Sequence, residues 1–299
     1  MNEKITVLTV NWNSAELLEF MLASLFSKAE FPENLSVIVI DNTNGTDSGL
    51  SLLKKKFSGI EIFPYDPGNA KGLYAHAAAL NFGFTKIRTP FFLTADPDIF
   101  LFKKKWDTFC LNLIEEKKAD AAGTQYPEWW LGTYHNFPSP VFCFGKTDAF
   151  KILGPDWTPF KSSAVMRIIN FFLRQIVRGF FLFRRKNMNK YRTLRKSVMK
   201  LAGFYPLCSF DTGSAMALNQ EKMKNFSSEL FNAVYPDSMN KNSEALTLLA
   251  EYFEIYFYGN ELILTHQYGS QNFFLKTDKG NDTHYWKNLI AQIEEKDNG

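Results

Sequence analysis

Three short apolar runs in the first hundred positions each end on acids or amides, and no other feature of this 299-residue chain limits its fold as much. Residues 5–10 (ITVLTV) run into Asn11-Trp12-Asn13, residues 35–40 (LSVIVI) into Asp41-Asn42, and residues 90–95 (PFFLTA) into Asp96-Pro97-Asp98. Runs of this length and composition are strands, too short for helices and bounded by turn formers. Helical patterns separate them. Leu17, Leu18, Met21, Leu22 and Leu25 form a stripe behind Ser14, an N-cap candidate, with Glu16 in the first turn. The turn Asn44-Gly45-Thr46-Asp47 leads to a helix near 48–57, residues 60–63 (IEIF) make an edgeward strand, and small residues dominate a helix over 72–85. Such alternation predicts parallel βαβ units, hence an α/β fold with a mostly parallel sheet flanked by helices. Parallel strands bring the three polar ends to one sheet edge, where open α/β sheets place their chemistry.

Beyond Lys103 the pattern loosens. Residues 106–117 predict a helix, and 121–124 and 141–145 predict strands around an aromatic loop with Trp129, Trp130 and Tyr134. Those rings suit either core packing or stacking on a sugar. Residues 208–213 (CSFDTG) open a further helix, 251–264 read as a helix end and then a strand closing near His266, and 282–296 predict a last helix. The expected division is an N-terminal part over 1–125 and a C-terminal part over 126–299.

The 45% hydrophobic content, with 30 Phe, supports a large core. Cys110, Cys143 and Cys208 are too widely spaced for a disulfide framework or a zinc site and fit a reducing cytoplasm. No leader pattern and no run of about 18 apolar residues is visible, so a cytoplasmic protein, peripheral at the inner face of the membrane, is expected. The net charge of +3 conceals an uneven distribution: residues 161–200 hold 12 Lys or Arg and no acid, leaving 22 basic against 31 acidic residues elsewhere. In that block, which predicts a helical basic insertion, Val165, Ile168, Ile169, Phe172 and Ile176 recur at helical spacing. Arg174, Arg178, Arg184 and Arg185 provide cations suited to an anionic membrane surface. A packed helix with a solvated basic face and a contact with acidic protein are the competing readings. No nucleic-acid-binding module is recognisable, and no nucleic acid partner is expected.

The chemistry concentrates at Asp96 and Asp98. Two carboxylates one residue apart can hold a hard divalent cation, Mn2+ or Mg2+, that retains open positions for substrate phosphates. A polar turn built on Pro97 explains the same triplet more plainly. Asn11, Asn13, Asp41 and Asp96 converge in a way that suits a nucleotide, with Asp41 able to accept hydrogen bonds from a ribose or base. The first turn lacks G-x-G-x-x-G, and no G-x-x-x-x-G-K-[ST] occurs, which disfavours a dinucleotide fold and a P-loop. A nucleotidyltransferase also uses paired acids but needs a Gly-rich basic loop after its first strand, which NWNSAE is not.

Residues 5–14, Asp41-Asn42, residues 76–83 (HAAALNFG) and residues 92–98 together resemble the nucleotide-sugar-binding half of family-2, GT-A-fold glycosyltransferases, over about residues 4–110. The resemblance implies transfer of a sugar from a nucleotide-diphospho-sugar to a glycan or lipid-linked acceptor, usually with inversion, in a setting of cell-surface polysaccharide assembly. It implies Asp41 on the uracil or ribose, Asp96 and Asp98 as the metal motif, Asn69 or Lys71 near the base or diphosphate, and His266 completing the metal site. It also implies a base before a late helix. Asp211 occupies that position, although Phe-Asp-Thr-Gly replaces the commoner Glu-Asp pair, and an Asp there reads equally as an N-cap. Asp237 is a weaker candidate. His76 reads as a packed helical His ahead of a substrate contact, and His135 as an exposed loop His ahead of a contact with acceptor sugar. A catalytically degenerate scaffold or a peripheral membrane-binding protein of the same fold is the non-enzymatic alternative.

Overall fold

The computed structural model describes residues 3–127, 133–159, 163, 165, 168–169, 171–172, 211–223, 225–234, 243–267 and 282–297. The Trp129–Trp130 loop, Cys208, Asp237 and the arginines Arg174, Arg178, Arg184 and Arg185 lie outside these residues. The N-terminal units are β1 (Ile5–Asn11), α1 (Ala15–Lys28), β2 (Leu35–Asp41), α2 (Leu50–Lys56), β3 (Ile60–Pro64), α3 (Leu73–Phe84) and β4 (Phe91–Ala95). They are followed by β5 (Ile99–Leu101), α4 (Trp106–Lys117), β6 (Ala121–Thr124), β7 (Phe142–Lys146) and α5 (Thr147–Leu153). Next come α6 (Ser214–Lys222), β8 (Ser228–Ala233), α7 (Glu244–Tyr252), β9 (Glu254–Tyr258), β10 (Glu261–His266) and α8 (Thr283–Asp297).

Among the described residues one ten-stranded sheet runs in the order β3-β2-β1-β4-β7-β6-β8-β9-β10-β5. The first four strands are parallel, as the βαβ pattern predicts, and β3 is the edge. Past β4 the expected mostly parallel sheet becomes mixed: β7 pairs antiparallel with β4 and β6, and β9, β10 and β5 follow as antiparallel neighbours. Of these antiparallel neighbours only β9 and β10 are joined by a tight turn, two residues at Gly259-Asn260. The 251–264 run is accordingly a helix end and then a two-strand hairpin.

Both faces of the parallel half are buried, which is why its strands are apolar at almost every position. Ile5 and Val7 with Val37 and Val39 face α1, where Leu18, Met21, Leu22 and Leu25 are fully buried. Leu8 and Val10 with Ile38 and Ile40 face α3, beside Ala77, Leu80 and Phe84. Each such aliphatic side chain taken from water contributes about 1.5–3 kcal/mol. Gly83 permits the close approach of α3, because a Cβ there would lie 2.3 Å from Leu8 Cδ1. A third cluster, with Leu249 of α7 and Trp286, Leu289 and Ile290 of α8, covers the β9–β10–β5 end. No helix among the described residues is long and apolar enough to cross a membrane.

Candidate functional site

The chain leaves β4 at Ala95 and begins β5 four residues later, at Ile99, yet β5 lies at the far end of the strand order. Consecutive Cα atoms are 3.8 Å apart, so this short link curls the sheet round the turn Asp96-Pro97-Asp98. Asp96 N extends the β4–β7 ladder by donating to Val141 O, and on the other side Gln267 N donates to Asp98 O at 2.9 Å. In the β5–β10 ladder His266 stands opposite Ile99. Backbone pairing alone therefore carries His266 to the acids: its Nε2 is 3.3 Å from Asp98 Oδ1. One ligand atom from each of Asp96, Asp98 and His266 can be chosen so that all lie within 4.8 Å of one another.

The electrostatics of this cluster are unbalanced. The Asp96 and Asp98 side chains keep 20% and 26% of their surface, while His266 keeps 4%, so the acids are partly open to solvent and the imidazole is buried behind them. Burial raises the Asp96 carboxyl above its usual range; His76 opposes this and the charge of Asp98 adds to it. Burial also pushes Asp98 upward, but His266 outweighs it and holds that carboxyl below its ordinary value. His266 itself is disfavoured as a cation by burial, yet Asp98 and Glu254 lift it well above a free imidazole. Two carboxylates and an imidazole are a donor set that Mn2+ or Mg2+ accepts, the former more readily because of the nitrogen.

At the neighbouring strand ends the picture differs. Asn11 Nδ2 donates to Asp41 Oδ1 and Asp47 Oδ2, while its Oδ1 accepts from Ser14 N and Ser14 Oγ. Both amide hydrogens and both lone pairs are used. Asn11 is fully buried, and its side chain ties the end of β1 to Ser14, Asp41 and Asp47. Ser14 stands at the N-cap position of α1 but its side chain makes no cap bond, because its hydroxyl goes to Asn11. Asp41 also accepts from Thr43 N, Thr43 Oγ1 and Gly45 N, and is 1% exposed. Its carboxylate folds the β2–α2 loop. Asn13 is exposed, with φ +51°, and lines a recess of about 610 Å3 with Ser14, Glu16, Leu17, Asp282, Thr283 and His284 at the start of α8. Asn69 and Lys71 are exposed on the loop before α3.

Asp211 is buried on the loop entering α6, where Gly213, not Asp211, is the N-cap residue. Two hydroxyls brace this loop: Tyr134 and Tyr126 donate to Thr212 O at 2.7 and 3.3 Å. Gly213 adopts φ +92°, and a Cβ there would lie 2.6 Å from Tyr134 Oη. The Tyr126 hydroxyl is raised well above its usual pKa by burial, then by Tyr134, Asp211 and Asp96, so both acids act on one phenol. Tyr134 is thus core and loop brace at once.

Three residues of the site escape sequence reasoning. His76, in the first turn of α3, places Nε2 3.5 Å from Asp96 Oδ1 instead of packing inertly. Tyr126 had no signal. Glu254 lies 2.9 Å from His266 Nδ1 through Oε2, and its only sequence cue is an acid opening the aromatic run EIYFY. His135, read as an exposed loop His, meets the Tyr126 carbonyl through Nδ1 at 2.8 Å.

Comparison with solved structures finds partial likenesses at low identity. One is the mannosyltransferase PcManGT from Pyrobaculum calidifontis in complex with GDP-Man and Mn2+, 17% identical, matching 51% of this chain and 47% of that one with a TM-score of 0.40. Another is S. aureus TarS 1–349 in complex with UDP-GlcNAc, 18% identical, matching 54% of this chain and 50% of that one with the same TM-score of 0.40. This chain thus spans about half the length of each. No curated protein matches it. The family model described as glycosyl transferase family 2 matches residues 6–192, more than half the sequence and including β1 through the Asp96-Pro97-Asp98 turn, so the chain belongs to that family.

Proposed function

We propose that this chain transfers a sugar from a nucleotide-diphospho-sugar to a hydroxyl of a glycan or lipid-linked acceptor, with inversion, in the assembly of cell-surface polysaccharide. The observation that carries the reading is the convergence of Asp96, Asp98 and His266 from β4, its turn and β10 at the edge where the parallel strands end. These three residues would hold Mn2+ or Mg2+, with Asp98 and His266 already 3.3 Å apart. When bound, such a cation neutralises charge on the diphosphate leaving group. Asn13, Asn69 and Lys71 are exposed on loops of the same edge and are the donor-facing contacts, with Lys71 matching a phosphate by charge. Asp41 serves the donor by shaping the loop that borders it.

Asp211 is the proposed base. Its carboxylate takes the proton of the acceptor hydroxyl as that oxygen bonds to the anomeric carbon. The bond from that carbon to the diphosphate oxygen breaks, the nucleoside diphosphate departs, and a single displacement inverts the centre. The tyrosine brace on Thr212 keeps the Asp211 loop in place during this exchange. The basic segment 161–200 is proposed to hold the protein on an anionic membrane. The described residues Val165, Ile168, Phe171 and Phe172 are exposed apolar side chains at its start, between 58% and 65% accessible, and an apolar face beside cations is what such a surface takes.

Calorimetric titration of UDP, GDP and dTDP with and without Mn2+ tests the reading. At least one nucleotide is expected to bind about tenfold or more tightly with the metal. Equal binding in both conditions, or none, would favour a scaffold. Replacing Arg174, Arg178, Arg184 and Arg185 by Gln is expected to release the protein from anionic liposomes, and unchanged sedimentation with them would remove the membrane role.

A further inference from the structure

Glu254 is a buried acid beside His266 and has no role in the reaction described above. It opens β9 and is the cross-strand partner of His266 on β10. Its side chain is 2% exposed. Oε2 lies 2.9 Å from His266 Nδ1 and accepts from Tyr256 Oη at 2.8 Å, while the buried Oε1 has no partner. A carboxylate taken from water without full compensation is destabilising. An apolar cross-strand pair would serve the hairpin better, as Ile255, Phe257 and Leu262 beside it illustrate. The placement of this acid answers to the imidazole.

An imidazole that ligates a cation through Nε2 must carry its proton on Nδ1, and an acceptor on Nδ1 fixes both that tautomer and the plane of the ring. Glu254 Oε2 supplies the acceptor, and the Tyr256 hydroxyl, two residues along the same strand face, stops the carboxylate from swinging. Nε2 is thereby directed at Asp98. We propose that Glu254 is the positioning residue of the cation site: it locks His266 in the orientation that offers Nε2 beside Asp96 and Asp98. This rests on the reading that those three residues hold a divalent cation.

The test uses Mn2+ alone on the full chain, with free metal followed by electron paramagnetic resonance. Glu254→Gln keeps an oxygen acceptor but loses the charge, and is expected to weaken Mn2+ binding about tenfold. Glu254→Leu loses both and is expected to weaken it about a hundredfold. In the Mg2+-loaded protein, long-range 1H–15N spectra should place the His266 proton on Nδ1 in wild type and Gln variant and show mixed tautomers in the Leu variant. Wild-type Mn2+ affinity in both folded variants would overturn the positioning role while leaving the cation site intact. Should the Leu variant fail to fold, an unweakened Gln variant overturns it alone. If the wild-type chain binds no Mn2+, the cation site itself falls, and the role of Glu254 with it.

Discussion

At the ends of β1 and β2, Asn11, Asp41, Thr43 and Asp47 satisfy one another through short hydrogen bonds and leave Asn11 with nothing to offer. At the ends of β4 and β10, Asp96, Asp98, Glu254 and His266 crowd three carboxylates round one imidazole. The two clusters share a sheet edge and much of their composition. They differ in saturation. The first resolves its polarity internally and so fixes a loop; the second sets acids side by side, where burial raises the Asp96 carboxyl with the charge of Asp98 adding to it, while His266 holds Asp98 down. Acids crowded in this way are what a cation would relieve, so the incomplete cluster is the one proposed to bind, and the complete one frames its loop.

The largest effect separates them by activity. Asp98→Asn removes a proposed cation ligand and is expected to lower kcat/KM by on the order of a thousandfold, about 4 kcal/mol of barrier. His266 keeps Glu254 as a partner, so folding stability should change by less than about 1 kcal/mol. Steady-state kinetics and urea melts on the same preparation read both quantities. A variant that melts early and transfers normally would reverse the assignment of the two clusters.

The next effect separates them by stability. Asn11→Ala strips donors from Asp41 and Asp47 and the acceptor from Ser14, and buried groups left in this way cost about 1–3 kcal/mol together. The urea midpoint should fall accordingly, while Mn2+-dependent nucleotide affinity of the folded fraction should stay within about twofold. Unchanged stability with lost affinity would return Asn11 to the donor site.

The sequence makes much of this frame legible because local physics decided it. Burial on both faces of β1 and β2, the α1 stripe and the small-residue α3 are direct consequences of the apolar pattern, and the acid pair at the end of β4 follows from the length of that run. What stayed hidden depends on register. The hairpin pairs Tyr258 with Glu261, and continuing that register would set Glu254 opposite Thr265. A bulge between Leu262 and Leu264 shifts the pairing by one, which brings His266 opposite Glu254 instead. One extra residue in one strand exchanges the faces of everything beyond it, and no local propensity announces it. The partners of Asn11 stayed hidden for a related reason: which groups an amide meets depends on which loops fold over it, here those bearing Ser14 and Asp47.

The Asp211 loop combines both kinds of cluster, a completed frame around an acid, and gives smaller effects that sharpen the distinction. Gly213→Ala forces a side chain into φ +92° against Tyr134 Oη and should cost about 1–3 kcal/mol of stability, read as a lowered urea midpoint. Tyr134→Phe removes one of two hydroxyls on Thr212 O and should cost only about 1 kcal/mol, because Tyr126 remains. If the brace exists to hold the base, the Phe variant loses kcat severalfold at unchanged donor KM, since the donor cleft does not feel the loop. It should also relieve part of the Gly213→Ala penalty by withdrawing the oxygen that the new methyl meets, giving a measurable coupling in a double-mutant cycle. Purely additive costs with unaltered kcat would mean that these tyrosines only fill the core, and that the loop they touch is frame alone.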